Sequence, residues 1–292
     1  MGRHYDTYNG KELYFEMTAK EIEEGYVLAF RDIVNNYGIN CNNSQQTISE
    51  NNTDKNTFLL KLVNDFKSPL QSIIGFSQAM SDGLGGEMSE QQEKYIKIIK
   101  KNSSELMYFI NKLMELTQTE LGEFKPDYKI FDINSLINTI VRFNEQLYKE
   151  KDLRWSINIE EGFKNTILSD EEIIKIIVQN AIEVILRSVD MGEISINLST
   201  PDETFIKSRN LFGANFIMIS ISSNSLLLSE SDLEYMFEPY KIIDSPNRKN
   251  LLRAMSLACV KNLLQILNGT IWVESKILKN TCFNIIIPQG KI

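Results

Sequence analysis

The sequence predicts an α+β protein in which an antiparallel helical hairpin is followed by an α/β sandwich. Two long segments with apolar residues at helical spacing, separated by a glycine-rich break, predict the hairpin. From Asp132 onward, short strand-like runs alternate with helical segments, which is typical of one sheet covered by helices on one face. The 292 residues are enough for both parts.

Composition restricts the class of partner. The net charge of −8 disfavours nucleic acid and anionic membrane surfaces, so we expect no nucleic-acid partner. The sequence has no run of 18 apolar residues, and we expect no membrane insertion. The three cysteines, Cys41, Cys259 and Cys282, lack the spacing of a zinc site or a disulfide framework, which predicts free thiols and a cytoplasmic location.

The segment before the hairpin is predicted in two parts. Residues 1–37 are expected to form a strand and helix element, with a short strand at 11–17. Thr18 then begins a helix that runs to about residue 37, because Glu21 completes a capping box and apolar residues follow at helical spacing. Residues 38–57 are rich in Asn, Gln, Ser and Thr, which predicts a mobile polar linker.

Residues 58–122 are predicted to be the hairpin. The first helix covers about Phe58–Ser81, and the glycines of residues 82–86 end it. Ser89 begins the second helix, where Gln92 completes a capping box. Two helices with wide apolar faces cannot bury them alone, so a hairpin from a second chain would complete a four-helix bundle. Packing against the carboxy-terminal domain is the alternative.

Residues 128–292 are predicted to form the sandwich. Its helices are expected at Asp132–Lys149, Asp170–Arg187, Glu230–Phe237 and Leu251–Leu267. Its strands are expected at Arg154–Ile159, Thr166–Leu168, Glu193–Ser199, Ala214–Ser222, Thr270–Ser275 and Thr281–Ile287. This order predicts a single sheet with helices on one face.

The segment Asn64–Leu70 resembles the histidine box of sensor histidine kinases. That box runs histidine, acid, apolar, basic, hydroxyl or amide, proline and leucine, and six of its seven positions match here. Four later blocks resemble the ATP-binding domain of the same family and follow in its order: Asp170–Asn180, Phe237–Tyr240, Asn268–Ser275 and Asn280–Phe283. The resemblance covers about residues 58–290 and implies a sandwich of the histidine kinase ATPase type after a dimeric hairpin.

Two positions at which the resemblance implies catalytic groups carry other residues. The phosphoacceptor histidine is replaced by Asn64, whose carboxamide cannot form a phosphoramidate, and the one histidine of the sequence, His4, lies far upstream. The asparagine that coordinates magnesium in the family falls at Val184, which offers no oxygen to a hard cation. We therefore expect no catalytic residue at these positions.

The nucleotide-binding positions that the resemblance implies are also altered. In the first glycine box, the adenine-binding aspartate of the family is Ser223 and its two glycines are Ser225 and Leu227. Leu227 and Leu228 are expected to fill the base pocket. In the second glycine box, Ala254 and Ser256 place side chains where phosphates would lie. Together these changes indicate a pseudokinase with no nucleotide cofactor and no metal ion.

The scaffold itself is retained, which points to a binding function. Family members present the first hairpin helix to the receiver domain of a response regulator. The corresponding docking face here consists of Asn64, Lys67, Ser68, Gln71 and Ile74. We expect a homodimer, or a heterodimer with a histidine kinase, that acts as a regulatory module of two-component signalling. For each of these residues, the alternative is an ordinary solvated or dimer-facing position of the bundle.

Two other functions stay open. In the family, a hydroxyl or amide four residues after the histidine helps to dephosphorylate the receiver aspartate. Ser68, together with Asp65, could therefore serve a phosphatase that has no kinase activity. The basic cluster of Arg248, Lys249 and Arg253 could instead hold a different small ligand in the altered pocket, although such a cluster can also be simply solvated.

Overall fold

The computed structural model describes residues 2–8, 11–22, 25–32, 46–202, 205–206, 215–242, 248–275 and 280–290. The chain divides into two compact units, residues 1–52 and 53–292. In the described part of the chain, none of the helices combines the length and the apolar character that a membrane crossing requires.

The first unit contains a three-stranded antiparallel sheet. Its strands are β1 (Gly2–Tyr8), β2 (Lys11–Ile22) and β3 (Gly25–Asp32), in that order across the sheet. The predicted helix from Thr18 is therefore wrong, because Thr18 pairs with Ala29 of the neighbouring strand. The apolar residues of this segment are spaced by even numbers as well as by helical ones, so they fit a strand equally well, and pairing between strands satisfies the backbone.

The first hairpin helix is longer than the sequence predicts. Helix α1 covers Gln46–Ser81, so residues 46–57 of the predicted polar linker are helical, and residues 38–45 lie outside the described part of the chain. Residues 46–57 contain neither glycine nor proline. A helix that is already nucleated by its apolar part can therefore extend through this polar sequence at little cost.

The second hairpin helix begins where its cap predicts. Helix α2 covers Glu90–Glu120, and Ser89 and Gln92 form the complete capping box. The two helices pack through a small cluster in which Val63 and Leu70 of α1 meet Ile110 of α2. The hairpin is thus built from the apolar stripes seen in the sequence.

The second unit continues with a five-stranded sheet. Its strands are β5 (Asp152–Ile159), β7 (Met191–Ser199), β8 (Phe216–Ser223), β9 (Thr270–Ser275) and β10 (Thr281–Pro288). The order is β5-β7-β8-β10-β9, with β5 parallel to β7 and the other neighbours antiparallel. A separate pair joins β4 (Lys129–Asp132), which the sequence does not predict, to β6 (Thr166–Ser169).

Helices form a layer on this sheet. They are α3 (Ile133–Phe143), α4 (Glu145–Lys149), α5 (Glu171–Leu186), α6 (Glu230–Glu234) and α7 (Arg248–Ile266). Helix α5 is apolar over most of its surface, because it contacts α3, α7 and β8. Its N-cap, Asp170, accepts a hydrogen bond from the backbone N–H of Ile173 at 2.8 Å. The predicted α+β class, a helical hairpin followed by an α/β sandwich, is confirmed.

The sandwich covers part of the apolar hairpin surface. Leu116 of α2 is 1% exposed and packs against Met255 and Ala258 of α7. Other large apolar side chains of the hairpin remain exposed, among them Phe66 at 56% and Phe76 at 73%. Packing against the carboxy-terminal domain, the alternative considered for the hairpin, thus buries one stretch of α2 and leaves an apolar surface along α1.

Candidate functional site

The histidine-box segment lies on the surface of α1. Asn64, Ser68 and Gln71 are exposed, whereas Lys67 and Ile74 are half-buried. Residues four and seven positions apart share one face of a helix, so the three exposed side chains form a continuous polar strip. The side chain of Asn64 therefore meets solvent on a rigid helix.

The position that the resemblance assigns to the magnesium ligand is apolar and buried. Val184 of α5 is 4% exposed and belongs to the main hydrophobic core. It also lines a cavity of about 430 Å³ together with Ser256 of α7. A hydrocarbon side chain at this point gives a divalent cation no ligand, since magnesium is held by carboxylate, amide or phosphate oxygens.

The first altered glycine box forms a closed polar turn after β8. Ser223 is 1% exposed, and its hydroxyl accepts a hydrogen bond from the backbone N–H of Ser225 at 3.3 Å. Asn224 accepts from the backbone N–H of Glu193 at 2.9 Å and from the Ser225 hydroxyl at 3.0 Å. The turn lies directly on Gly192, where a Cβ would sit 2.0 Å from Ser225 Oγ. The polar groups of this turn thus bind one another and β7.

The expectation that Leu227 fills the base pocket is wrong. Leu227 is 59% exposed, whereas its neighbours Leu226 and Leu228 are 3% and 7% exposed. In an extended segment, successive side chains point to opposite sides. The two flanking leucines enter the core, so Leu227 is turned outward.

The second altered glycine box is part of a continuous helix. Ala254 and Ser256 lie within α7 and are 0% and 1% exposed. Beyond its first turn, a helix donates each backbone N–H to the carbonyl four residues earlier, so these groups are not available to a phosphate. Met255, which lies between them, packs against Leu116 of α2.

These residues do not fit the magnesium nucleotide that the family's fold implies. Val184 provides no metal ligand, and α7 presents side chains in place of bare backbone. In the described part of the chain, no group of three or more His, Cys, Asp and Glu side chains is placed to hold a metal ion. Of the six altered pocket positions, only Val184 and Ser256 line the same cavity.

Two further sets of side chains determine the charge and the polarity of that cavity. Four cationic residues line it: Lys151, Arg187, Lys249 and Arg253. Three aliphatic residues form its apolar part: Val184, Leu186 and Leu252. One wall belongs to α2, which contributes Glu105 and Tyr108, so the cavity lies between the hairpin and the sandwich.

Next to the cavity, a buried polar network joins α2 to α5. Lys112 is 5% exposed, and its ammonium group lies 2.9 Å from Glu183 and 3.1 Å from Glu115. It also donates to the side-chain oxygen of Asn180 at 2.9 Å. The Tyr108 hydroxyl donates to Glu183 at 3.1 Å. Every donor of the lysine therefore has an acceptor, which makes its burial tolerable.

The pKa values in this network follow from burial and charge together. Burial alone would lower the pKa of Lys112, but the Glu183 and Glu115 carboxylates outweigh it, and the lysine pKa is raised. Burial alone would raise the pKa of Glu183, but the Lys112 charge and hydrogen bonds outweigh it, and the glutamate pKa is lowered. Burial and the Glu183 charge raise the pKa of Tyr108. The pair is thus ionised over the whole neutral range.

Two further contacts, one exposed and one partly buried, also join the hairpin to the sandwich. The Tyr240 hydroxyl, at the end of the Phe237–Tyr240 block, donates to the Glu120 carboxylate at 2.8 Å. Asn262 of α7 donates to the Thr119 hydroxyl at 3.2 Å. Together with the buried network, they fix the last turns of α2 against the sandwich.

This network is not evident from the residue pattern alone. The usable signal is one charge in an apolar setting: Lys112 stands among the apolar residues of its stripe on α2, and Glu183 stands in an otherwise apolar part of α5. One cation and one anion, each at a buried position of a helix, together indicate a buried ion pair. Each charge taken alone does not indicate its partner.

Comparison with known families covers both parts of the chain. The His Kinase A (phospho-acceptor) domain matches residues 54–122. The histidine kinase-, DNA gyrase B- and HSP90-like ATPase domain matches residues 169–291. The chain belongs to the sensor histidine kinase family. It is therefore a protein of two-component signalling, with the hairpin and the sandwich in the order that the family uses.

Two curated histidine kinases illustrate the relationship. The autoinducer 2 sensor kinase/phosphatase LuxQ of Vibrio vulnificus is 24% identical over 235 residues, which are 80% of this chain and 26% of LuxQ. The aerobic respiration control sensor protein ArcB homolog of Haemophilus influenzae is 24% identical over 222 residues, which are 76% of this chain and 64% of that protein. The chain thus spans between a quarter and two thirds of these relatives.

Solved histidine kinase structures share the fold. Full-length ShkA in complex with AMPPNP superimposes with a TM-score of 0.63 at 15% identity, covering 81% of this chain and 46% of ShkA. The Acinetobacter baumannii histidine kinase AdeS superimposes with a TM-score of 0.50 at 17% identity, covering 78% of this chain and 98% of the AdeS chain.

Proposed function

We propose that this histidine kinase relative transfers no phosphate and acts by binding partners. The observation that carries the proposal is Asn64, an exposed carboxamide at the position where the family places its phosphoacceptor histidine. The one histidine of the sequence, His4, belongs to β1 in the other compact unit. A carboxamide nitrogen is not nucleophilic, so α1 has no group that could accept a phosphoryl group as histidine does.

The altered nucleotide positions support the same proposal independently. The buried Val184 and the continuous helix through Ala254 and Ser256 remove the metal ligand and the phosphate cradle. A substitution that restored the phosphoacceptor would still leave the nucleotide site without its metal ligand and phosphate cradle. Loss of phosphotransfer therefore follows from two separate defects.

Radiolabelled ATP tests this proposal directly. Incubation of the purified chain with magnesium and γ-labelled ATP should leave no label on the protein, while an active histidine kinase in a parallel reaction is labelled. The Asn64→His variant should also remain unlabelled, because it regains an acceptor without regaining a nucleotide site. Label on the unchanged chain would refute the proposal, and label on the variant alone would refute its nucleotide part.

We propose that the bound partner is a receiver domain of a response regulator, docked on the α1 face of Asn64, Lys67, Ser68, Gln71 and Ile74. The exposed polar strip through Asn64 and Ser68 supports this assignment, since a solvent-facing rigid helix can present side chains without rearrangement. The retained histidine-box pattern around it supports the same partner class. Free Cys259 and Cys282 are consistent with action in the reducing cytoplasm.

Receiver binding is tested with a matched pair of variants. Ser68→Arg places a bulky cation in the centre of the docking face and should weaken binding of a cognate receiver domain at least about tenfold. Ser104→Arg places the same side chain at an exposed position of α2 and should leave binding unchanged. Isothermal titration of both variants with the receivers encoded by the same organism measures the difference. Equal affinity of both variants would refute the docking face.

A phosphatase without kinase activity is the second candidate. LuxQ, a relative by sequence, is named as a kinase and a phosphatase, and Ser68 is exposed beside Asp65 on α1. For dephosphorylation of a receiver, helix α1 needs only to orient a water molecule, because the receiver itself holds the magnesium ion. Phosphate release from a phosphorylated receiver should be accelerated by the chain and not by Ser68→Ala. An unchanged rate of release would leave binding as the function.

A further inference from the structure

The cavity between α2, α5 and α7 has the size of a ligand site. Its volume is about 430 Å³, within the roughly 300–1,000 Å³ of pockets that hold small molecules. It includes Lys249 and Arg253 of the basic cluster noted in the sequence, whereas the side chain of Arg248 lies outside the described residues. The structure adds two cations from other parts of the chain: Lys151, in the turn before β5, and Arg187, which caps the end of α5. Residues that are distant in sequence thus converge on one cavity.

The charges around the cavity favour an anion. Among the described residues that line it, four are cationic and one, Glu105, is acidic. Lys151 is paired with Asp190 at 3.0 Å, and Arg253 lies 3.6 Å from Asp232. The Arg187 guanidinium lies 3.3 Å from the centre of the Tyr108 ring, a contact that leaves its N–H edge available. Cationic side chains thus outnumber acidic ones among the described residues that line the cavity.

One of these cations has an unmet hydrogen-bond requirement. Arg253 Nε is buried and has no hydrogen-bond partner. Arg253 lines this cavity and a neighbouring one that includes Asp232 and Lys241. A buried N–H without an acceptor is unfavourable, and native proteins usually satisfy such groups with water or a ligand. Because Nε is fully buried, an anion in the cavity would supply the missing acceptor once the Arg253 side chain shifts towards it.

The rest of the lining favours a ligand that has an apolar portion. It disfavours a ligand that carries a divalent metal ion. Three aliphatic residues, Val184, Leu186 and Leu252, and the ring of Tyr108 supply the apolar part of the lining. Because Val184 gives no oxygen ligand, a polyphosphate would bring its divalent cation into a site that cannot hold it. A ligand of one or two negative charges needs no such cation.

We propose that this cavity binds a compact organic anion, a carboxylate or phosphate monoester with an apolar body, without a metal ion. The proposal rests on the proposed loss of the nucleotide site and names the ligand class that replaces it. Glu105 and Tyr108 belong to the hairpin, whereas the cations belong to the sandwich. A ligand whose anionic group is bound by the sandwich cations and whose apolar body contacts the Tyr108 ring would therefore touch both parts, and would set the geometry in which the hairpin meets its partner.

Phenyl phosphate is a suitable probe, because it combines a dianion with a flat apolar body. In buffer with EDTA, it should raise the Tm of the full chain by a few degrees, as any ligand of the native state does. Isothermal titration should give an affinity at least about tenfold weaker for Arg187→Ala and for Arg253→Ala, since each removes a charge-assisted hydrogen bond. Arg154→Ala removes an exposed cation of β5 outside the cavity and should bind as the unchanged chain does.

Each result decides the inference. Arg187 is exposed, so its variant should fold even if the loss of the buried Arg253 destabilises the protein. Absence of a thermal shift, or equal affinity of Arg187→Ala and Arg154→Ala, would overturn the anion site. If inorganic phosphate bound as tightly as phenyl phosphate, the inference that the ligand has an apolar body would be overturned. Binding of ATP only in the presence of magnesium would instead refute the proposed loss of the nucleotide site. Failure of the anion site and failure of the proposed function are therefore distinguishable.

Discussion

Lys112 shows how a charge is held in the interior between the hairpin and the sandwich. Its ammonium group contacts two carboxylates and one amide oxygen, so no donor is left without a partner. Burial of such a group is costly, and the cost is offset only while the partners are present. The network therefore makes the contact between α2 and α5 specific, because any shift of α2 would separate the charges.

Removal of this lysine should be strongly destabilising. Lys112→Met keeps the aliphatic length but leaves Glu183 and Glu115 without their cation. We expect a loss of about 3 kcal/mol in the free energy of unfolding. Lys97→Met, which removes an exposed lysine paired with Glu93 on the same helix, should cost less than about 0.5 kcal/mol. Urea denaturation of both variants measures the difference, and equal midpoints would contradict the buried pair.

The same pair predicts a pH dependence. The pKa of Glu183 is lowered in the folded protein, so its contribution to stability is present above the ordinary value of 4.5 and is lost as pH falls through the folded value. The pKa of Lys112 is raised, so its contribution persists to alkaline pH. The Tm difference between the unchanged chain and Glu183→Gln should be constant from about pH 6 to 9 and should narrow below about pH 4.5. A difference that grows on acidification would contradict this account.

At the scale of elements, the turn after β8 depends on one glycine. Gly192 at the start of β7 has a φ of +122°, and its missing side chain makes room for Ser225 and Asn224. The closed polar turn that replaces the first glycine box is therefore tied to a backbone conformation that other residues rarely adopt.

Substitution of this glycine should be costly. Gly192→Ala combines an unfavourable φ with a clash against the turn, and we expect a loss of about 2 kcal/mol or more in the free energy of unfolding. Gly85→Ala, where a Cβ meets nothing within 4 Å, should have little effect. Thermal denaturation distinguishes the two, and a neutral Gly192→Ala would show that the turn adapts freely.

The elements also show where local sequence signals suffice. The cap of α2 was predictable because Ser89 and Gln92 are three residues apart and bond each other locally, without a partner from another element. The end of β2 and the whole of β3 were predicted as one helix because their apolar spacing fits both periods. That spacing does not reveal the hairpin pairing that decides the structure, in which Thr18 pairs with Ala29. The early start of α1 was missed for a similar reason, since polar residues 46–57 are helical by extension from the apolar part.

For the whole molecule, the exposed apolar surface of α1 predicts self-association. Phe66, Ile73 and Phe76 remain 43% to 73% exposed after the sandwich has packed on α2. A second hairpin would bury them in a two-fold symmetric bundle, in which each residue contributes twice.

Sedimentation at micromolar concentration tests the dimer. The unchanged chain should sediment as a dimer, and Ile73→Asp should weaken association at least about a hundredfold, because two buried side chains are lost in a symmetric interface. Ser72→Asp adds the same charge at the adjacent exposed position and should leave the dimer intact. A monomer for the unchanged chain, or equal weakening by both substitutions, would argue against this interface.

The candidate site was predictable only where it consists of motif positions. Asn64 and Val184 follow from their order along the chain, and so does the altered chemistry expected there. The cavity does not, because Lys151, Arg187 and Arg253 come from three separate parts of the chain that only the folded sandwich brings together. Leu227 was placed wrongly because its orientation depends on which of its neighbours enters the core.

The buried pair of Lys112 and Glu183 also restricts how this chain can diverge. Replacement of either residue alone leaves the other charge in the interior, whereas replacement of both by apolar residues of similar size can be neutral or stabilising. An evolutionary path that replaces these two residues one at a time therefore passes through an intermediate with lower folding stability. In an alignment of descendants, these two positions should change together or not at all.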